Sequence, residues 1–228
     1  NFNIKLLTNI TRDHLDYHKN IKSYIQCKTS FMIGESISHI IINNDDPAGQ
    51  EVVKKIKDLK NPNFITLGIT NDSDLMAKKI SYRNNKTLFD LHYDHKIYKI
   101  KTSIFGTYNI YNLLGVIACL IKLKIKIQDI QSAVEILSNV EGRAEIIGKN
   151  NKKKPNVFID YAHTPDALEN ILVTLRQLKP KKLILIFGCG GNRDKGKRRE
   201  MAIVANKFSD YAIITSDNPR DEKPMDII

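Results

Sequence analysis

Cysteine is scarce in this 228-residue sequence: Cys27, Cys119 and Cys189 stand far apart, with no Cys-x-x-Cys pair among them. That spacing argues against a disulfide framework and a structural zinc site, and points to a reducing compartment, the cytoplasm. Long apolar runs are also missing. The longest, IIIN at 40–43 and LILIFG at 183–188, stop far short of the roughly 20 residues of a membrane span, so no membrane partner is expected. The opening, NFNIKLLTNITRDH, has neither the apolar core nor the cleavage site of a secretory signal. No initiator methionine is present, and the expectation is a piece of a longer chain. Acidic residues are under-represented, 25 against 36 Lys and Arg, for a net charge of +11. The excess is mostly lysine spread along the whole chain, without a motif for RNA or DNA. No nucleic-acid partner is expected, and a basic surface suits small anionic substrates.

A 42% hydrophobic fraction with 27% charged residues excludes intrinsic disorder and is enough for one large domain or two small ones. The polar run GKNNKKKPN at 148–156 separates two stretches of different texture and puts a domain boundary near 142–155. Upstream, a polar, His-rich segment (8–19) leads into a helix over 20–34 and a buried strand at ISHIIINN (37–44). Asp45, Asp46 and Pro47 then signal a helix start. FITLG (64–68) reads as a strand. Alternating apolar residues over 76–102, with Asn-Asn and Asp-His turns, predict antiparallel strands, and 107–138 predicts two helices. Downstream, strands at 157–162, 181–188 and 211–216 alternate with helices at 164–178 and 197–208, and Thr164 and Pro165 open the first helix. The segment DNPRDEKPMDII at the end reads as the start of one more helix. That alternation predicts a doubly wound parallel sheet with ligands at the carboxyl edge of its strands.

Three loops follow those three strands, at 160–166, 188–198 and 216–220, and parallel strands bring them to one face. The middle loop has Gly191-x-x-x-x-Gly196-Lys197, the spacing of a phosphate loop, but Arg198 stands where the Mg²⁺-binding hydroxyl belongs. It reads either as an anion-binding loop or as a Gly-rich turn with solvated lysines. In Asp217-Asn218-Pro219-Arg220, proline stiffens the loop and the arginine can clamp a carboxylate. Alone, the motif reads equally as a helix cap with a solvated arginine. Asp13-His14-Leu15-Asp16-Tyr17-His18 holds four metal-capable side chains. Spacing alone favours capping by Asp13 over a Mg²⁺ site. Lys28 sits among apolar and small neighbours. It is either withdrawn from water and reactive or a snorkelling surface lysine. Asn109 and Asn112, three apart near a helix start, put two amides on one face where a purine edge could be read.

Taken in order, TNITRDHLDYH (8–18), the lysine after SYIQC, GTYNIYNLL (106–114), EGRAEII (141–147), VFIDYAHTPDALEN (157–170), FGCGGNRDKGKRREM (187–201) and TSDNPRDE (215–222) resemble the signatures of the Mur ligases over essentially the whole chain. The resemblance implies an α/β fold: the end of a central ATPase domain (1–142) followed by the first part of a Rossmann-like, parallel-sheet domain (143–228), both incomplete. It implies ATP-dependent ligation of meso-diaminopimelate to UDP-N-acetylmuramoyl-L-alanyl-D-glutamate through an acyl phosphate, in cytoplasmic peptidoglycan precursor synthesis. By the same resemblance Lys28 is a carbamylated lysine whose CO₂-derived oxygens help hold Mg²⁺, and His14 is a ligand of a second Mg²⁺. Asn109 and Asn112 match the adenine contact, and Arg143 and Asp160 the contacts to ATP phosphates and ribose. Arg193, Asp217, Asn218, Pro219 and Arg220 match the diaminopimelate site; an arginine there repels the ammonium end of lysine. Asn192, where the family often has Asp, is a departure affecting local charge balance. The family's N-terminal domain, its GTNGKT-type phosphate loop and its last C-terminal loops are not in this sequence, so the chain by itself is expected to be inactive. The alternatives are a lysine-adding or folylpolyglutamate synthetase-like ligase, and a non-catalytic nucleotide- or nucleic-acid-binding module.

Overall fold

A computed structural model describes residues 2–11, 15–18, 20–34, 37–59, 63–83, 86–137, 140–147 and 155–228. The Asn84-Asn85 turn, Asp13, His14 and most of the 148–156 run lie outside the described residues. The chain forms two compact units, Asn1–Ile10 with Ile25–Val140 and Thr11–Tyr24 with Glu141–Ile228.

The elements up to residue 140 are β1 (Phe2–Leu7), α1 (Leu15–His18), α2 (Ile21–Ile33), β2 (Ile37–Asn43), α3 (Pro47–Asp58), β3 (Phe64–Gly68), β4 (Leu75–Arg83), β5 (Lys86–Tyr93), β6 (Lys96–Thr102), α4 (Thr107–Lys122) and α5 (Ile127–Ile136); α1 and the first turn of α2 fall in the second unit and the rest in the first. Among the described residues the strands form one six-stranded sheet in chain order. β1 to β4 run parallel, and β4, β5 and β6 pair antiparallel. The uninterrupted isoleucines of β2 explain its central place. Ile40, Ile41 and Ile42 are all fully buried, which requires cover on both sheet faces because successive side chains point opposite ways. Ile41 packs with Ile110, Leu114 and Ile117 of α4 and Ile130 of α5. Ile40 and Ile42 pack with Val52, Val53 and Ile56 of α3 and Met32 of α2. Helix α3 starts where the sequence says: Asp46 caps it by accepting from Gly49 N at 3.0 Å, and Pro47 takes the first helical position. The Asp94-His95 turn puts both residues at positive φ, 50° and 58°, as a tight two-residue hairpin requires. β1 was not anticipated. Phe2-Asn3-Ile4-Lys5-Leu6 does alternate, but burial does not follow the apolar positions: Lys5 is buried and donates to the carbonyl of Phe31, while Phe2 and Leu6 are exposed.

The second unit continues with β7 (Glu145–Ile147), β8 (Val157–Ile159), α6 (Pro165–Arg176), β9 (Ile184–Phe187), α7 (Gly196–Phe208), β10 (Tyr211–Ile214) and α8 (Pro224–Ile227). β9 and β10 pair parallel, as predicted. β8 does not follow the predicted pattern: among the described residues it pairs antiparallel with β7, Glu145 facing Ile159. A strand of three residues gains most from the nearest available partner, and β7 lies only a short connection upstream. Thr164 Oγ1 caps α6 by accepting from Ala167 N at 3.3 Å. Helices α6 and α7 pack together, burying Leu168, Leu172, Met201 and Ala205. Those helices anchor the loops that follow β8, β9 and β10.

Candidate functional site

In the second unit, Asp160 leaves β8 and ties down two segments at once. Its Oδ2 accepts from Ala144 N at 2.8 Å and its Oδ1 from Ala162 N at 2.9 Å. This holds Arg143 beside the first loop, with its guanidinium 4.7 Å from the centre of the Tyr161 ring. Tyr161 in turn meets His163 edge-on at 5.1 Å. The buried Lys197 Nζ, at the start of α7, donates to His163 O at 3.0 Å. That bond uses one of the three donors of the amine and ties the start of α7 to the first loop. Cys189 is buried against Met201, sulfur to sulfur 3.7 Å, and burial pushes its thiol pKa up.

The second and third loops are joined along their backbones. Gly191 N donates to Asn218 O at 2.9 Å, and Arg220 Nη1 donates to Gly191 O at 2.6 Å. Arg220 therefore turns toward the glycine loop, from a left-handed backbone of φ 50°. A Cβ on Gly191 would sit 1.9 Å from Pro219 O, so only glycine permits this approach. Asn192, also left-handed at φ 51°, donates Nδ2–H to Asp221 Oδ2 at 2.9 Å. Beneath them Glu222 takes Arg198 in a two-pronged pair at 3.0 and 2.8 Å and accepts from Asn192 N at 2.6 Å. The Arg198 bonds, then the Asn192 N–H, lower the Glu222 pKa to about 2. Glu222 was missed as a candidate, and Asn192 was noted only as a departure from the family, because their meaning depends on partners far away in sequence. The one available signal was the acidic pair Asp221-Glu222 directly after the DNPR motif.

In the first unit, Asn109 and Asn112 do share a face at the start of α4. Asn109 Nδ2 donates to Phe105 O at 2.8 Å, and Asn112 Nδ2 to Asn109 Oδ1 at 3.4 Å. Between them in sequence Tyr111 donates its hydroxyl proton to Asp45 Oδ2 at 2.7 Å. Asp45 also accepts from the main-chain N–H groups of Ile69, Thr70 and Asn71 at 2.6, 3.0 and 2.7 Å. Burial pushes the Asp45 carboxyl up, but those donors outweigh it and bring the pKa to about 2. Burial, then the Asp45 bond, raises the Tyr111 pKa, so its hydroxyl stays protonated. A folded pKa below the unfolded one adds stability above about 3.8 that fades as pH falls toward about 2. Asp45→Asn is therefore expected to lower unfolding free energy at pH 7 by about 1 kcal/mol, the carboxylate being partly wet, and by much less at pH 2. Urea titrations at both pH values check this; an equal deficit at each would contradict it.

Lys28 is exposed in the middle of α2. The reading of a lysine withdrawn from water is thereby corrected: α2 buries Thr29 and Met32, and Lys28 falls beside that stripe rather than on it. His14 lies outside the described residues, and His18 is stacked on Tyr24 with ring centres 4.7 Å apart. Among the described residues no cluster of three His, Cys, Asp or Glu side chains could hold a metal ion. Arg193 and Asp217 are exposed on the paired loops, with Asp217 Cβ placed directly against Gly188. Lys28, Asn109 and Asn112 thus belong to the first unit, and the other described candidates to the second.

Two family models match the chain: the Mur ligase middle domain over residues 1–120 and the glutamate ligase domain of Mur ligases over residues 142–228. The chain belongs to the Mur ligase family. It is 42% identical over 224 residues, 98% of its own length, to the UDP-N-acetylmuramoyl-L-alanyl-D-glutamate–2,6-diaminopimelate ligase of Clostridium perfringens, of which it spans 46%. A solved structure of a ligase with that name aligns at a TM-score of 0.66 and 30% identity, over 99% of this chain and 46% of that one. UDP-N-acetylmuramate-alanine ligase from Thermotoga maritima aligns at 0.72 and 21% identity, over 96% of this chain and 46% of that one, a likeness of fold alone. The chain spans about half the length of the curated relatives it matches. Among its described residues no helix is long and apolar enough to cross a membrane.

Proposed function

We propose that the Mur ligase containing this chain joins meso-diaminopimelate to UDP-N-acetylmuramoyl-L-alanyl-D-glutamate in peptidoglycan precursor synthesis in the cytoplasm, with ATP converted to ADP and phosphate. In this reading residues 1–142 are the later part of the central ATP-binding domain and 143–228 the first part of the amino-acid domain. ATP phosphorylates the D-glutamate carboxylate, and the incoming amine displaces phosphate to form the amide. The Asn109–Asn112 amide pair at the head of α4 suits the adenine edge. Arg143, held by stacking on Tyr161, supplies positive charge for phosphate, and Asp160 lies beside it for the ribose. His14 and a carbamate on the exposed Lys28 are proposed to hold Mg²⁺, which would screen phosphate charge.

The observation that carries the choice of amino acid is the closure of the DNPR turn on the glycine loop by the Gly191–Asn218 and Arg220–Gly191 bonds. It joins the turn bearing Asn218 and Arg220 to the loop bearing Arg193, and this reading has both guanidinium groups face the substrate. Such a pair favours the distal carboxylate of meso-diaminopimelate and repels the terminal ammonium of lysine. The test is turnover of the full-length gene product with ATP, the UDP-dipeptide and either amino acid, followed by ADP release and product mass. The expected preference for meso-diaminopimelate over lysine is at least about 100-fold in kcat/KM. Equal use of both, or a preference for lysine, would overturn the reading.

A further inference from the structure

Glu222 lies two residues past the DNPR motif and makes more connections than a helix-capping or solvated acid needs. One carboxylate oxygen accepts from Asn192 N at 2.6 Å and from Arg198 Nη2 at 2.8 Å. The other accepts from Arg198 Nη1 at 3.0 Å and faces Lys195 Nζ at 3.3 Å. These partners come from the glycine loop and the first turn of α7, 24 to 30 residues away where hydrogen bonds are concerned. Glu222 N also bonds Pro219 O at 3.0 Å, which fixes the turn that carries Arg220. We propose that Glu222 is a positioning residue that latches the 217–222 turn to the glycine loop and so presents Arg220 to the diaminopimelate carboxylate, an assignment that rests on the ligase reading above.

The electrostatics fit a division of labour. Arg193, Lys195, Arg198 and Arg220 crowd positive charge onto two adjoining loops and the first turn of α7. Glu222 engages Arg198 and Lys195, so the charge nearest the helix is neutralised, while Arg220 is anchored through Nη1 to a neutral carbonyl. Arg198 is itself well covered, its side chain 13% exposed, and its Nε has no hydrogen-bond partner among the described residues. Removing the carboxylate would leave this guanidinium unneutralised in a poorly hydrated place, and the two loops would separate to hydrate it. Arg220 would keep its charge but lose its fixed location. A positioning defect of that kind weakens recognition of the amino acid and leaves nucleotide binding intact.

The test uses Glu222→Gln, Glu222→Asp and Arg198→Lys in the full-length gene product. Hydrogen exchange at the Gly191 and Asn192 amides is measured beside KM for meso-diaminopimelate and for ATP. Glu222→Gln is expected to speed exchange at both amides about tenfold and to raise the amino-acid KM about tenfold, with the ATP KM unchanged. Glu222→Asp, which keeps the charge on a shorter arm, should recover part of both losses. Arg198→Lys, which keeps the charge but not the fork, should reproduce the pattern at smaller size and provides the measurement should Glu222→Gln not fold. Unchanged exchange in all three variants overturns the latch. Faster exchange with an unaltered amino-acid KM overturns the positioning role. Faster exchange in an enzyme whose wild type prefers lysine supports the latch while overturning the diaminopimelate reading, so the two failures are distinguishable.

Discussion

Arg220→Ala in the full-length gene product is expected to raise the KM for meso-diaminopimelate about 100-fold while leaving the KM for ATP within a factor of two. Arg220 is exposed in the free chain, so the loss expected is that of a charge-assisted pair formed when the substrate carboxylate binds, about 2–3 kcal/mol, and 1.4 kcal/mol is a factor of ten. The specificity of the effect comes from what the substitution spares. The Gly191 N–Asn218 O bond and the Glu222–Arg198 pair do not involve the Arg220 side chain. The substitution removes the Arg220–Gly191 bond, but these contacts keep the loops joined, and the change falls on the amino-acid end of the site. Arg220→Lys should recover little, because an ammonium cannot form two parallel bonds to a carboxylate. Steady-state kinetics with each substrate varied in turn checks the prediction. A parallel rise in both KM values would mean that Arg220 supports the fold rather than recognition.

Gly191→Ala is expected to be more damaging, for a reason that involves no chemistry of the side chain. The added Cβ would lie 1.9 Å from Pro219 O and 2.7 Å from Pro219 C, both main-chain atoms. A flexible side chain could swing aside at small cost; this segment of backbone cannot without breaking the Gly191–Asn218 bond. Overpacking of this severity puts the loss of stability at about 3 kcal/mol or more, with amino-acid-dependent turnover abolished. Gly142→Ala is the matched control. Gly142 has a positive φ of 65° but nothing within 4 Å of where its Cβ would be, so it should cost only about 1 kcal/mol of backbone strain. Urea midpoints of the two variants compared with the wild type decide it. Equal destabilisation would show that contact with the DNPR turn does not constrain this loop.

The elements legible in the sequence were those with local causes. Asp46-Pro47 and Thr164-Pro165 each mark a helix start, and both helices begin there. The alternation over 76–102 became β4, β5 and β6 in antiparallel register. β8 was read correctly as a strand but given the wrong neighbour. Its three residues define an extended conformation and carry no information about pairing. Lys28 shows the same limit: apolar neighbours in sequence do not set burial on a helix, where the facing stripe depends on angle around the axis.

At the candidate site the sequence alone determined which groups are available. It supplied the arginines, the glycines, the stiff Asn-Pro-Arg turn and two amides spaced three apart on a helix, since chemical identity and local backbone preference are written residue by residue. Tertiary structure decided which of those groups work together. The pairing of Glu222 with Arg198 spans 24 residues, that of Lys197 with the His163 carbonyl 34, and that of Asp45 with Tyr111 66. Such partnerships arise only when packing brings distant segments within about 3 Å, a distance at which a hydrogen bond forms or fails on sub-ångström differences that no local pattern encodes.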